Sequence, residues 1–141
     1  MVELDVAGWI GTPFEIGGRG PEIFDCYGFL MQCYREHRGI EIPDFVSSAN
    51  HHRVGRAMAR NMRLWRRVER QPGVGILLRL HDSTACHVGF TTSNFWFAHT
   101  WEESGGVVRE RIANWQRQQK VVGFFDFVAA PLVDSEPALV E

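Results

Sequence analysis

The sequence lacks any apolar run that approaches the roughly 20 residues needed for a transmembrane helix. Its first residues, MVELDVAGW, have neither the basic start nor the apolar centre of a signal peptide. We therefore expect a chain made in the cytosol, with no export signal and no membrane span. Hydrophobic residues are 45% of the 141, which is typical of one globular domain. We expect that domain over residues 1–130, followed by an acidic, loosely ordered tail over 131–141.

Cysteine is scarce, and the three cysteines are an odd number. In a chain without a secretory signal, this argues against a disulfide framework and leaves at least one free thiol. Common zinc motifs are also missing, because there is no Cys-x-x-Cys pair and no HExxH helix. Cys86 and His87 are adjacent and would point to opposite faces of a strand. We expect no metal and no other cofactor.

An excess of positive charge is missing as well. The net charge of −2 gives no reason to expect a nucleic-acid partner. Half of the arginines nevertheless fall within residues 53–70, on a helix predicted to begin at Ser47 or Ser48 and to end near Arg70. Its other face is apolar, so the pattern is typical of a helix with a core-facing stripe and a solvated basic face. A basic surface that binds nucleic acid or a partner protein is the alternative.

Helical patterns come first in the chain, and strand patterns follow. A short helix is predicted over 3–10, and a second runs from Asp25, a good N-cap residue, to Arg38, with Gly39 as its stop. Strands are predicted over 76–80, 86–92, 95–101, 107–112 and 121–128. This order indicates an α+β fold in which N-terminal helices pack on an antiparallel β-sheet.

Cys26 occupies the first turn of the helix predicted from Asp25. It shares an inward face with Leu30, Cys33 and His37. Unpaired N–H groups and the helix dipole favour an anion there, which predicts a lowered pKa for the thiol and suits a nucleophile. Three glycines before the helix allow close approach of the backbone: Gly17, Gly18 and Gly20. A buried structural cysteine is the alternative.

His87 and His99 lie on neighbouring predicted strands, twelve residues apart. A three-residue loop over 92–94 would place them directly opposite each other, with Cβ atoms about 5 Å apart. If the cysteine helix packs on that face, Cys26, His87 and His99 provide a nucleophile, a base and an orienting group. Ordinary structural histidines are the alternative, and His81 replaces His99 if His99 is misplaced.

These residues resemble those of the NlpC-type cysteine peptidases, a papain-like family that cleaves peptidoglycan stem peptides. The resemblance covers about residues 8–101 and rests on the segments GTPFEIGGRG, DCYG, HVGF and FAHT. It implies a papain-like fold, with Cys26 as nucleophile, His87 as base and His99 as orienting group. Phe14 stands where many members have tyrosine, and Tyr27 replaces the usual serine.

The segment GGRGPEIFDCYGF most resembles the tail-associated branch of the family found in tailed phages. That resemblance implies a virion endopeptidase at the phage tail tip, with stem peptides and other tail-tip proteins as partners. Phe14, Trp96 and Trp101 are expected to line the cleft as substrate-binding residues, although aromatic residues on strands are more often core. Two alternatives stay open: a structural tail-tip protein that keeps the fold, and an amidase or acyltransferase that uses the same triad.

Overall fold

The computed structural model describes residues 3–45, 51–80 and 85–128. The predicted tail over 131–141, the helix start at Ser47 or Ser48, and His81 lie outside these residues. The helices are α1 (Cys26–Cys33), α2 (His51–Asn61) and α3 (Ile112–Arg117). The strands are β1 (Trp65–Val68), β2 (Gly75–Arg79), β3 (Ala85–Thr91), β4 (Trp96–Thr100), β5 (Val107–Arg111) and β6 (Val121–Phe127). They form one antiparallel sheet in the order β1-β6-β2-β3-β4-β5, which confirms the predicted fold class.

Helix α1 begins and ends where the sequence predicts. The Asp25 carboxylate accepts a hydrogen bond from the Gly28 amide at 2.8 Å, which satisfies one of the unpaired N–H groups of the first turn. The helix continues as a wider π-helical turn over Tyr34–Arg38, and Gly39 ends it in the left-handed conformation. Tyr34 and Arg38 then hydrogen-bond the Asp126 carboxylate on β6, so the last strand holds this end of the helix.

The predicted long basic helix is wrong beyond Asn61. A short 3₁₀ turn over Met62–Leu64 follows α2, and the chain then enters β1, whose Trp65 pairs with Phe127 of β6. Trp65 is buried against Phe127 and Tyr34. Its spacing from the apolar residues of α2 fits a helix, but pairing with a distant strand determines the conformation.

Two other elements differ from the prediction. The predicted helix over 3–10 is only a 3₁₀ turn over Ala7–Trp9, and Ile10, which follows it, is 46% exposed. Helix α3 was not predicted, because its first residue, Ile112, reads as the end of a strand. In the structure Ile112 and Trp115 are both buried against the sheet, which gives this six-residue helix its stability.

The sheet presents two different faces to its helices. Helix α1 packs on the face that carries Val88, Phe90 and Ala98. Helix α3 packs on the other face with Leu78 and Phe97, and this face also carries His87 and His99. The cysteine helix therefore packs on the face opposite the two histidines, which differs from the condition under which the sequence places the three residues together. The apolar side chains of β3 that cover α1 alternate with His87, so one strand cannot offer both to the same side.

The turn between β3 and β4 is longer than predicted. Phe90 pairs with Ala98 and Thr91 with Phe97, so five residues separate the last paired residues, 91 and 97, rather than the predicted three. Both lengths are odd, so the two histidines still share a face, but they are diagonal neighbours rather than directly opposed. The Ser93 hydroxyl stabilises the longer turn by accepting hydrogen bonds from the Phe95 and Trp96 amides.

Candidate active site

The two predicted histidines meet in the interior of the sheet's α3 face. His87 is 1% exposed and His99 is fully buried. Their rings are hydrogen-bonded, with 2.7 Å between His87 Nε2 and His99 Nδ1. Gly89 makes this approach possible, because a Cβ atom at that position would lie only 3.1 Å from the Cβ of His99. The glycine of the HVGF segment therefore has a packing reason to be there.

Glu110 on β5 extends the pair of histidines and was not anticipated from the sequence. Its Oε2 lies 2.7 Å from His99 Nε2, and its Oε1 accepts a hydrogen bond of 3.0 Å from Trp115 Nε1. Burial lowers the pKa of His99, although the nearby carboxylate opposes this. The hydrogen bond from His99 lowers the pKa of Glu110 in turn. At neutral pH the pair is therefore a carboxylate and a neutral imidazole.

Cys26 is partly exposed, whereas Cys33 and Cys86 are buried. Burial raises the pKa of its thiol to about 12, even though the residue keeps some exposed surface, and the negative charge of Asp25 adds to the rise. The backbone N–H groups of Val88 and Tyr27 act in the opposite direction and are weaker. The predicted low pKa is therefore wrong for the thiol by itself. A helix N-terminus lowers the pKa only when burial and a neighbouring carboxylate do not outweigh it.

The start of α1 lies near the end of the ladder between β3 and β4. That ladder pairs Phe90 with Ala98 and Thr91 with Phe97, and Val88 and the two histidines lie beyond it. Beyond the ladder, the Val88 amide interacts with the Cys26 thiol. The thiol thus lies beside the residue that follows His87, and it approaches from the α1 face of the sheet.

The glycine-rich loop is held tightly against the first turn of α1. Asp25 accepts hydrogen bonds from the Gly17 amide at 2.9 Å and from Arg19 Nη1 at 2.7 Å, in addition to its cap on Gly28. Arg19 also donates hydrogen bonds to the Asp44 carboxylate and to the backbone carbonyl of Phe45, in the segment that follows the cysteine helix. One guanidinium therefore ties three segments together around the candidate nucleophile.

The predicted substrate-binding aromatic residues lie in three different places. Trp101 has its ring 5.7 Å from that of His87 and 6.2 Å from that of His99, so the structure brings it to the histidines. Trp96 is on the opposite face of β4, stacked with Arg109 at 4.0 Å, and the structure does not bring it there. Phe14 forms an isolated bridge with Phe24, just before the cysteine. Substrate binding by these three residues stays a prediction.

Asp25→Asn is expected to increase the reactivity of Cys26 severalfold. Removing the carboxylate charge removes a repulsion with the thiolate, so the pKa of the thiol falls and more thiolate is present at a given pH. The measurement is the rate of iodoacetamide alkylation at pH 8, with the modified cysteine located by mass spectrometry. Asp44→Asn is the matched control, because it removes the other carboxylate partner of Arg19. Equal alkylation rates in the two variants would contradict this account.

The NlpC/P60 family matches residues 11–125, which extend from the GTPF segment into β6. This chain belongs to the NlpC/P60 family. The NlpC/P60 chain is 31% identical over 103 residues to "Murein DD-endopeptidase MepS/Murein LD-carboxypeptidase" of Escherichia coli strain K12, and equally to the protein of that name in strain O6:H1. The match covers 72% of this chain and 49% of those proteins, so the chain spans about half their length.

The fold of this NlpC/P60 chain is also found in a solved structure. It aligns with a "similar to lipoprotein, NLP/P60 family" protein of Staphylococcus aureus at a TM-score of 0.60 and 19% identity. The alignment covers 87% of this chain and 39% of that one. Within residues 3–45, 51–80 and 85–128, no group of three metal-binding side chains occurs. No helix in the same ranges has the length and apolar character to span a bilayer.

Proposed function

We propose that this NlpC/P60 domain is a cysteine peptidase that hydrolyses peptidoglycan stem peptides, with Cys26 as nucleophile, His87 as base and His99 as orienting group. The observation that carries the proposal is the buried 2.7 Å hydrogen bond between His87 and His99, beside the strand residue whose amide contacts the thiol. The murein endopeptidases that match most of the chain support the substrate class.

The raised pKa of the thiol determines how the reaction begins. At neutral pH Cys26 is protonated, so the proton moves to His87 as the sulfur attacks the scissile carbonyl. The Cys26 backbone N–H, which lies in the first turn of the helix and so has no intrahelical partner, stabilises the tetrahedral oxyanion. The His87 imidazolium then protonates the leaving amine, and water releases the acyl-enzyme. His99 holds the ring of His87 in one plane throughout.

The bond that we propose is the amide that follows γ-D-glutamate in the stem peptide. Purified protein incubated with defined muropeptides should release the two halves of the stem, separated by chromatography and identified by mass spectrometry. Prior treatment with iodoacetamide should stop the release as Cys26 becomes labelled. Cleavage between the sugar and the peptide would favour the amidase alternative, and no thiol-dependent cleavage would favour a purely structural protein.

We also propose that the domain acts at a phage tail tip. The segment GGRGPEIFDCYGF supports this proposal, because it resembles the tail-associated branch and forms the tightly bonded unit around Arg19 and Asp25. Arg56 and Arg60 of α2 are exposed and could contact neighbouring tail proteins. Immunogold labelling of purified virions should place the protein at the tail tip. Its absence from virions of a phage that encodes it would rule this location out.

A further inference from the structure

We infer that Glu110 is a positioning residue for the catalytic histidines and, with Trp115, sets the tautomer of both rings. The inference rests on the proposed function, since it concerns the base of that reaction. Glu110 acts through His99 rather than on the substrate. It lies on β5 opposite Phe97, two residues along the strand from Val108, which pairs with His99.

The direction of each hydrogen bond follows from the carboxylate. A carboxylate only accepts, so His99 must carry its proton on Nε2 to bond Glu110. Because His99 is neutral, its Nδ1 then has a lone pair and accepts from Nε2–H of His87. The lone pair of a neutral His87 is left on Nδ1. That is the nitrogen that must take the thiol proton.

Trp115 makes this arrangement specific to a carboxylate. The indole N–H is only a donor, and it occupies Oε1 of Glu110 while His99 occupies Oε2. Both oxygens must therefore accept. Trp115 is 5% exposed and packs against His99 with its ring centre 5.4 Å away, so it has little freedom to turn aside.

The glutamine side chain in Glu110→Gln has nearly the same shape as glutamate, but only its oxygen can accept a hydrogen bond. If its oxygen faces Trp115, its NH₂ group faces His99 and forces the proton of His99 onto Nδ1. That proton then points at Nε2 of His87, which moves the His87 proton to Nδ1 and removes the base. If the amide is turned round, its NH₂ group meets the indole N–H of the buried Trp115, and two donors oppose each other.

The experiment compares wild type, Glu110→Gln, Trp115→Phe and the double variant by stem-peptide cleavage and by ¹⁵N NMR of the imidazole rings. Glu110→Gln should lower kcat by roughly 100-fold with little change in KM, because an orienting group that imposes the wrong tautomer costs about two to four orders of magnitude. Its His87 Nδ1 should carry a proton in the spectrum. Glu102→Gln, at an exposed glutamate in the turn before β5, is the control and should match wild type.

The double variant distinguishes proton placement from simple packing. Phenylalanine at 115 has no N–H, so the glutamine can turn its oxygen toward His99 and restore the wild-type tautomers. The kcat of the double variant should therefore be at least tenfold higher than that of Glu110→Gln alone. The acid limb of the pH profile should stay at a lower pH than in wild type, because the carboxylate charge that raises the basicity of His87 is still missing.

Further loss in the double variant, or unchanged ring tautomers in Glu110→Gln, would overturn the inference. If Trp115→Phe proves too unstable to study, the tautomers of Glu110→Gln alone decide the question. The spectra also separate this inference from the proposed function. A protein that cleaves no peptide but shows the predicted tautomers would reject the peptidase and keep the role of Glu110.

Discussion

Cys26→Ser is expected to lower kcat/KM for stem-peptide cleavage by roughly 10⁴-fold or more, while the unfolding temperature stays close to that of wild type. Sulfur is the stronger nucleophile, and a hydroxyl would need a far more powerful base than His87. The residue is partly exposed at the helix start, so the smaller oxygen leaves no enclosed cavity. The measurement is the cleavage rate beside a thermal unfolding curve.

The other two cysteines offer controls for this variant. Cys86→Ala changes a buried thiol close enough to Cys26 to raise its pKa slightly, yet it should leave kcat within a few-fold of wild type. A Cys26→Ser protein that retained a tenth of wild-type activity would contradict the assignment of the nucleophile. Serine and alanine at position 26 should be equally inactive.

Gly28→Ala is expected to destabilise the fold by about 3 kcal/mol or more. In an ordinary helix interior, replacing glycine by alanine instead stabilises the helix by about 1 kcal/mol. A Cβ atom at Gly28 would lie 2.0 Å from the Gly18 carbonyl oxygen and 3.2 Å from Arg19 Nη1. Both helix and loop are fixed by Asp25, so neither can move away cheaply. Urea unfolding monitored by circular dichroism gives the free-energy change.

Gly8→Ala is the matched control, because a Cβ atom there would have no atom within 4 Å. It should change stability by less than about 0.5 kcal/mol. Equal stability of the two alanine variants would mean that the glycine loop is not seated against α1. Cleavage should fall in Gly28→Ala even under conditions where it is folded, since the displaced loop adjoins Cys26.

Local chemistry explains what the sequence predicted correctly. The cap at Asp25 and the stop at Gly39 are properties of a few consecutive residues, so both ends of α1 were found. That His87 and His99 share a face depends only on an odd loop length, so this prediction was correct although the predicted loop was too short. The predicted strand register was wrong, because the register depends on the turn that the Ser93 hydroxyl stabilises.

Features set by distant parts of the chain were missed. Trp65 continues the helical spacing of α2, and only β6, about sixty residues later, makes it a strand. Glu110 looks like an ordinary charged residue beside Arg109 and Arg111, and its partners His99 and Trp115 come from different elements. The raised pKa of Cys26 depends on burial, which no spacing rule reports.

The position of β6 between β1 and β2 governs when the domain can assemble. On the ribosome, β2, β3, β4 and β5 can pair as they emerge, but β1 must wait for β6, which lies between β1 and β2. The far end of the cysteine helix also depends on β6, because Tyr34 and Arg38 hydrogen-bond the Asp126 carboxylate on that strand. A nascent chain thus brings its two histidines together before the far end of the cysteine helix is held, so the proposed peptidase activity should arise only once synthesis has passed residue 127.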